Sequence, residues 1–205
     1  MMPRMFPMFV KLEDRRVLVV GAGTVGESKI GGLLDSGAQI TVVAQDASEA
    51  VLQWARAGLV ELEERAFTTD DLADVFLAVV ATSSPILNEL IFSEAQSRGV
   101  LCNVVDVPEQ CDFFYPAVVK RGDLQIAIST SGQSPSLAQR LRQQLEEQFG
   151  PAYTEWVAEL GATRRDVLNS NLAPEQKREL LKSLASQEAF EAMVTRTELA
   201  KGDAA

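Results

Sequence analysis

The feature that most constrains this chain is Gly21-Ala22-Gly23-Thr24-Val25-Gly26, directly after the apolar run Val17-Leu18-Val19-Val20. A short, continuous apolar run ending at glycine reads as a buried parallel strand. The spacing G-x-G-x-x-G then turns that strand into a helix. The first glycine allows the tight turn, the second lets backbone approach a pyrophosphate, and the third permits close packing of helix on strand. The helix start offers unpaired N–H groups and a partial positive charge to a phosphate. Thr24 to Ser36 carries helical spacing, with Val25, Leu33 and Leu34 on one face, and closes at Gly37. A doubly wound domain that has lost its nucleotide is the alternative that the glycines alone leave open.

The alternation continues. Ala38 to Ala44 is a second strand, after which Asp46 or Ser48 can cap a helix running to Ala57 and closed by Gly58. Leu59 to Glu64 is a third, more polar strand suited to a sheet edge. Val75 to Ala81 is a fourth, apolar strand. Ser84-Pro85 opens a helix that ends near Arg98-Gly99, and Val100 to Val105 is a fifth strand. This order specifies an α/β fold, a Rossmann-type doubly wound parallel sheet. Its ligand position lies outside the carboxyl ends of the first and fourth strands, where strand order reverses.

After Asp106 the pattern changes. Ala117 to Lys120 and Leu124 to Ser129 read as strands joined by Arg121-Gly122-Asp123, as a hairpin or as a crossing into another subunit. Ser134-Pro135 caps a helix with Leu137, Leu141 and Leu145 four apart, ended by Gly150-Pro151. From there the chain reads as helix: Tyr153, Trp156, Val157 and Leu160 form a stripe, and Pro174 opens a helix containing Leu180, Leu181 and Leu184. Fraying is expected from Lys201 to Ala205. The expected layout is a Rossmann domain over 1–112, a small α+β dimerisation region over 113–150 and a C-terminal helical domain over 151–205. So few strands with amphipathic helices bury little apolar surface alone, so a homodimer is expected.

Composition narrows the chemistry. The 205 residues contain no His. That excludes Ser-His-Asp and Cys-His nucleophiles, HExxH zinc sites and imidazole proton shuttles. Acid–base work falls to Asp, Glu, Lys, Tyr, Cys or water. Two cysteines, Cys102 and Cys111, cannot form a thiolate cage, and they read as small buried hydrophobes in a reduced compartment. No metal site is expected. A net charge of −10 argues against bulk attraction to nucleic acid or anionic membrane, while leaving room for a local basic pocket. The start, interrupted by Pro3 and Pro7, is too short an apolar run for a signal segment, and no window approaches a membrane span. A cytoplasmic, soluble protein is expected.

The second strand ends Val43-Ala44-Gln45, without the acid that usually bonds a ribose hydroxyl about twenty residues past the glycines. No Arg stands there for a 2′-phosphate, so the motif leaves NAD against NADP open and leans to NAD. Ala81-Thr82-Ser83, small and polar, is expected to line the cofactor path, or else is a simple loop. Asp106 ends the fifth strand facing the same crevice and is the leading acid–base candidate, with a turn Asp before Pro108 as the alternative. Ser129-Thr130-Ser131-Gly132-Gln133-Ser134 runs into a helix start and reads as an anion cradle, with Lys120, Arg121, Arg140 and Arg142 close in sequence. An ordinary capped loop with a solvated charged face reads equally well.

These segments together carry a family resemblance: Phe6 to Leu12 before the first strand, VLVVGAGTVGESK ending at Lys29, ITVVA, VVATSSPILN, and CNVVDVPEQCDFFYPAVVKRGDLQIAISTSGQSPSLAQRLRQQLE. The chain resembles the precorrin-2 dehydrogenase family, the siroheme synthase dehydrogenase/ferrochelatase domain, over about residues 6–150. The resemblance implies NAD-dependent oxidation of precorrin-2 to sirohydrochlorin, with Fe2+ insertion in some members and undecided here. It also implies an intertwined dimer, a catalytic Asp at Asp106, and a substrate-binding serine loop at Ser129 to Ser134, with Thr130 where some relatives carry a modifiable Ser. The family pattern G-G-G-x-V-A-x-R-K is met at Gly21, Gly23 and Lys29 and departed from at Ala22, Gly26 and Ser28; Ser131 replaces a loop Gly.

Residues and resemblance converge on one expectation. NAD binds on Gly21 to Gly26, with Val43, Ala44, Ala81, Thr82 and Ser83 around it. Asp106 handles the proton, and Asn103, Lys120, Arg121, Ser129 to Gly132, Ser134 and Arg140 hold the polycarboxylate tetrapyrrole. The rivals are a non-catalytic NAD-sensing regulatory module and an NAD(P) oxidoreductase acting on another small substrate.

Overall fold

The computed structural model describes residues 5–202. It divides at Tyr115/Pro116 into two compact units. The first contains β1 (Arg16–Ala22), α1 (Thr24–Leu33), β2 (Gln39–Ala47), α2 (Glu49–Arg56), β3 (Glu61–Glu64), β4 (Leu77–Val80), α3 (Pro85–Arg98) and β5 (Leu101–Val104). All five strands are parallel, in the order β3-β2-β1-β4-β5. The order reverses between β1 and β4, where the sequence reading places the ligand crevice, and the acidic β3 is an edge strand.

The apolar run of β1 is explained by its two covered faces. Val17 and Val19 pack with Ile30, Leu33 and Val51 on one side of the sheet. Leu18 and Val20 pack with Leu72, Ile91 and Ala95 on the other. All four run residues are buried, each worth about 1.5–3 kcal/mol against exposure.

Local signals explain the helix ends. The Ser48 hydroxyl accepts the Val51 N–H at 3.4 Å and caps α2. Asp46 does not serve, because β2 runs on past it to Ala47, which pairs with Ala22 across an irregularity in β1. Ser84 caps α3 with Pro85 in its first turn. On α1 one expectation fails: the buried face is Gly26, Ile30 and Leu33, while Val25 is 46% exposed. Nine positions separate Val25 from Leu34, which puts them about half a turn out of phase. Between β3 and β4 there is no α-helix. A 3-10 turn, Thr69–Leu72, makes the crossover and buries Leu72. The Arg65 guanidinium donates to both carboxylate oxygens of Asp71, at 2.9 and 2.6 Å, and holds that carboxyl below its usual range.

The second unit is a hairpin followed by helices: β6 (Ala117–Arg121), β7 (Leu124–Ile128), α4 (Pro135–Gln148), α5 (Ala152–Asn169), α6 (Pro174–Leu184) and α7 (Gln187–Gly202). Arg121 pairs with Leu124 across a two-residue turn whose Gly122 has φ +57°, so the two strands meet as a hairpin within one chain. On α4 the buried residue is Ala138, and Leu137 is 37% exposed. A four-residue spacing drifts by about 40° per step, so the three leucines stay on one face of α4, with Leu141 and Leu145 half-buried and Leu137 its most exposed member. The α5 stripe holds better: Tyr153 and Trp156 pack edge-to-face, 5.5 Å between centroids, and both meet the Phe190 ring. Of the expected fraying, α7 continues through Gly202, and residues 203–205 lie outside the described residues. Among the described residues no helix is long and apolar enough to cross a membrane.

Gly26 is the tightest point of the first unit. A Cβ built there falls 2.0 Å from the Gly21 carbonyl oxygen. Gly26→Ala is therefore expected to lose about 1–3 kcal/mol of stability, read by urea unfolding, because backbone must move to admit the methyl.

Candidate active site

The three glycines have separate jobs. Gly21 has φ +100°, and a Cβ on it would meet the Ala81 carbonyl oxygen at 2.5 Å, so it makes the turn and lets β1 and the end of β4 close together. Gly26 lets α1 approach the turn. A Cβ on Gly23 would meet nothing within 4 Å. Gly23 is also the N-cap of α1 and supplies no side-chain cap, so the first-turn N–H groups open onto bare backbone and free space. That cradle fits the pyrophosphate of a dinucleotide.

Two flanking segments complete the crevice. Val43 and Ala44 lie inside β2 with their side chains in the two core layers, while Gln45 and Asp46 beyond them are exposed. At the end of β4 the Ala81 N–H donates to the Val20 carbonyl at 2.8 Å. The Thr82 hydroxyl donates to Asn88 Oδ1 at 2.6 Å, and Asn88 Nδ2 donates back to the Thr82 carbonyl at 3.3 Å. Thr82 thus braces the loop through a buried amide, while Ser83 is exposed. The sequence reading missed Asn88. Its signal was a polar residue one turn inside an otherwise apolar helix face.

Asp106 follows β5 on the same carboxyl edge of the sheet, two strands from β1 and so roughly 10 Å away at the usual strand spacing. The Val107 N–H donates to the Val104 carbonyl at 3.2 Å, closing a turn over Val105 and Asp106. Asp106 has φ +63°, a left-handed conformation that turns normally give to Gly or Asn. Its side chain is exposed, and no described residue bonds or pairs with its carboxylate. Asp14 and Asp74 turn the chain in the same conformation, at φ +59° and +57°.

Asn103 sits differently from the expectation that it contacts substrate. It is 5% exposed, and its amide donates to the Phe113 carbonyl at 2.7 Å and to Cys111 Sγ at 3.3 Å. Cys111 is not a passive hydrophobe either: its thiol lies 3.2 Å from both the Val104 and Val107 carbonyls. Burial pushes that thiol above its usual range and Cys102 up to about 12, so both stand as neutral S–H groups at pH 7. Lys29 lies over the Tyr115 ring, 4.4 Å from its centroid.

In the second unit the hydroxyl loop is built on itself. Ser129 Oγ accepts the Ser131 N–H at 3.1 Å, Thr130 Oγ1 accepts the Ser134 N–H at 3.0 Å, and Ser134 Oγ accepts the Leu137 N–H at 3.2 Å. Ser131 and Gly132 take positive φ, +50° and +77°. Each hydroxyl keeps its own hydrogen for donation to an anion. Arg121 departs from its expected role. Its guanidinium donates to the Phe149, Lys120 and Glu146 carbonyls at 2.9, 2.9 and 3.1 Å and so caps the end of α4. Lys120 and Arg140 are exposed. Among the described residues no cluster of three or more His, Cys, Asp or Glu side chains is placed to hold a metal ion.

The sheet order and the bare glycine turn define an NAD(P)-binding protein of the Rossmann class. A family model described as putative NAD(P)-binding matches residues 8–117, and one described as sirohaem biosynthesis protein central matches 121–148. The chain is 40% identical over 166 residues to siroheme synthase 1 of Serratia proteamaculans, covering 81% of this chain and 35% of the relative. It is 41% identical over 140 residues to a siroheme synthase of Escherichia coli, covering 68% of this chain and 31% of the relative. It therefore spans about a third of the length of those curated relatives. A solved structure of SirC, a precorrin-2 dehydrogenase, superposes with a TM-score of 0.80 at 30% identity, covering 97% of this chain and 98% of that one. The chain belongs to the precorrin-2 dehydrogenase family.

Two measurements separate the roles of these residues. Gly23→Ala should leave thermal stability nearly unchanged and weaken NAD binding roughly tenfold or more by calorimetry, since its methyl enters the open cradle. Asp106→Gly should raise stability by up to about 1 kcal/mol, read by urea unfolding, because it removes left-handed strain.

Proposed function

We propose that the chain oxidises precorrin-2 to sirohydrochlorin with NAD+. The observation that carries the reading is the pairing, on one sheet edge, of a bare dinucleotide turn with an unpartnered carboxylate in a chain that has no imidazole. The full-length likeness to a precorrin-2 dehydrogenase supports the substrate.

Bound NAD+ supplies the hydride acceptor. The chain does the rest. Backbone N–H groups at the start of α1 hold the pyrophosphate, while Val43, Ala44 and Ala81 wall the crevice and Thr82 with Asn88 keeps it rigid. The oxidation removes one hydride and one proton from the macrocycle, and the Asp106 carboxylate takes the proton. In the second unit, taken by itself, Lys120, Arg140 and the hydroxyls of Ser129, Thr130, Ser131 and Ser134 offer an anion-binding group suited to carboxylates, with the Gly132 turn shaping that loop. Arg121, spent on the end of α4, keeps the hairpin and helix in register instead.

We also propose the homodimer, with residues 113–150 as its dimerisation region between a Rossmann domain over 1–112 and a helical domain over 151–205. Among the described residues of the second unit, the buried apolar side chains are Val119, Ala138, Val167 and Met193. A core that small supports burial against a second copy. Both cysteines are free thiols, which supports a reducing, cytoplasmic setting.

The assay is NADH formation from precorrin-2 and NAD+, with NADP+ in parallel. Asp106→Asn is expected to lower kcat roughly 100-fold or more while leaving NAD affinity unchanged. Absence of NADH formation by the unaltered chain would sink the proposed reaction, and full turnover by Asp106→Asn would remove the residue's role. A separate arm with sirohydrochlorin and Fe2+, against a blank without protein, reads chelation independently.

A further inference from the structure

The segment after the Asp106 turn folds back on β5. Cys111 forms an antiparallel bridge with Asn103. Next to it, the Asp112 N–H donates to the Cys102 carbonyl at 2.8 Å. Asp112 Oδ2 accepts the Cys102 N–H at 2.9 Å and Gln96 Nε2–H at 2.7 Å. These bonds fix the Cys111 sulfur against the edge of the strand whose end carries Asp106.

From that fixed point the thiol reaches the turn. Val104 and Val107 flank Val105 and Asp106, and their carbonyls both lie 3.2 Å from Cys111 Sγ. One S–H hydrogen is shared between the two oxygens and ties the ends of the turn together. Behind the sulfur, Asn103 Nδ2 donates to Sγ at 3.3 Å and to the Phe113 carbonyl at 2.7 Å, which holds the amide in place. The turn's own closing bond is long, 3.2 Å, and spans a residue at φ +63°. A strained turn of this kind persists only when its surroundings over-determine it. Without the thiol, Asp106 can relax toward ordinary φ, and its carboxylate swings with it.

We propose that Cys111, braced by Asn103, is a positioning residue that holds the Asp106 carboxylate in its reactive orientation. The proposal rests on Asp106 being the proton acceptor. It assigns both side chains to the turn: Asn103 acts through Cys111, and neither touches substrate.

The competing view, that Cys111 is only a small buried apolar side chain, predicts the opposite order of variants. An apolar filler role favours Cys111→Ala over Cys111→Ser. A donor role favours Ser, whose O–H can reach the same carbonyls with a shorter bond. The experiment measures kcat and KM for precorrin-2 and NAD+ in Cys111→Ala, Cys111→Ser and Cys111→Val, alone and with Asp106→Asn. Cys111→Ala and Cys111→Val are expected to lose roughly 10- to 100-fold in kcat, with KM for NAD+ within about twofold. Cys111→Ser should recover most of that loss. In the Asp106→Asn background, Cys111→Ala should change the residual rate by less than about twofold, because its effect passes through the missing carboxylate.

An Ala or Val variant as active as Ser overturns the positioning role while leaving the Asp106 assignment intact. So does an equal fold-loss in both backgrounds. Full activity of Asp106→Asn overturns the assignment and the positioning role with it. Should Cys111→Ala fail to fold, the comparison of Ser with Val carries the test, with NAD+ affinity confirming a folded first unit.

Discussion

The close approach of Gly26, Gly21 and the end of β4 is the constraint on which the first unit depends. At Gly26 and Gly21 even one methyl would strike backbone oxygen, at 2.0 and 2.5 Å. That contact brings α1 down onto β1 and joins β1 to β4 where the sheet changes direction. The crevice is a consequence. Helix N–H groups, the Ala81 segment and the end of β5 share one edge because the strands are parallel and the crossovers short. The wider environment then follows from burial: two apolar layers cover the sheet, and each takes alternate residues of β1.

Much of the first unit was legible because its signals are local. Glycine spacing, apolar runs, Ser48 and Ser84 at helix starts, and glycines after helix ends act within a few residues, and the elements follow them. What escaped depends on partners far along the chain. The 3-10 crossover at Thr69–Leu72 is held by Arg65 on Asp71, a pairing that no hydrophobic period announces. Spacing groups Val25 and Leu137 with other leucines, yet both are exposed, since which part of a helix is covered is set by what packs against it.

The site divides the same way. The glycine turn and the end of β5, which the structure sets together on the carboxyl edge of the sheet, were readable from position. Asn88, Asn103 and Cys111 were not, because a buried polar side chain reveals its purpose only when its partner is known. Cys111 looks from sequence like a small buried hydrophobe, but it is only half-buried. The two carbonyls at 3.2 Å give it a different meaning. Arg121 shows the converse: a guanidinium beside a presumed anion loop turns out to satisfy the last carbonyls of α4.

A chain without imidazole must draw acid–base power from placement. An exposed carboxylate in water is a weak base at any orientation, and the gain comes from holding it against one substrate proton without paying for the alignment at each turnover. On the proposed role of Asp106, this accounts for neighbouring polar groups that meet the turn's backbone rather than the carboxylate. A bond to the carboxylate would occupy the lone pairs the reaction needs. A bond to the carbonyls on either side leaves the carboxylate open, as the proposed proton transfer requires.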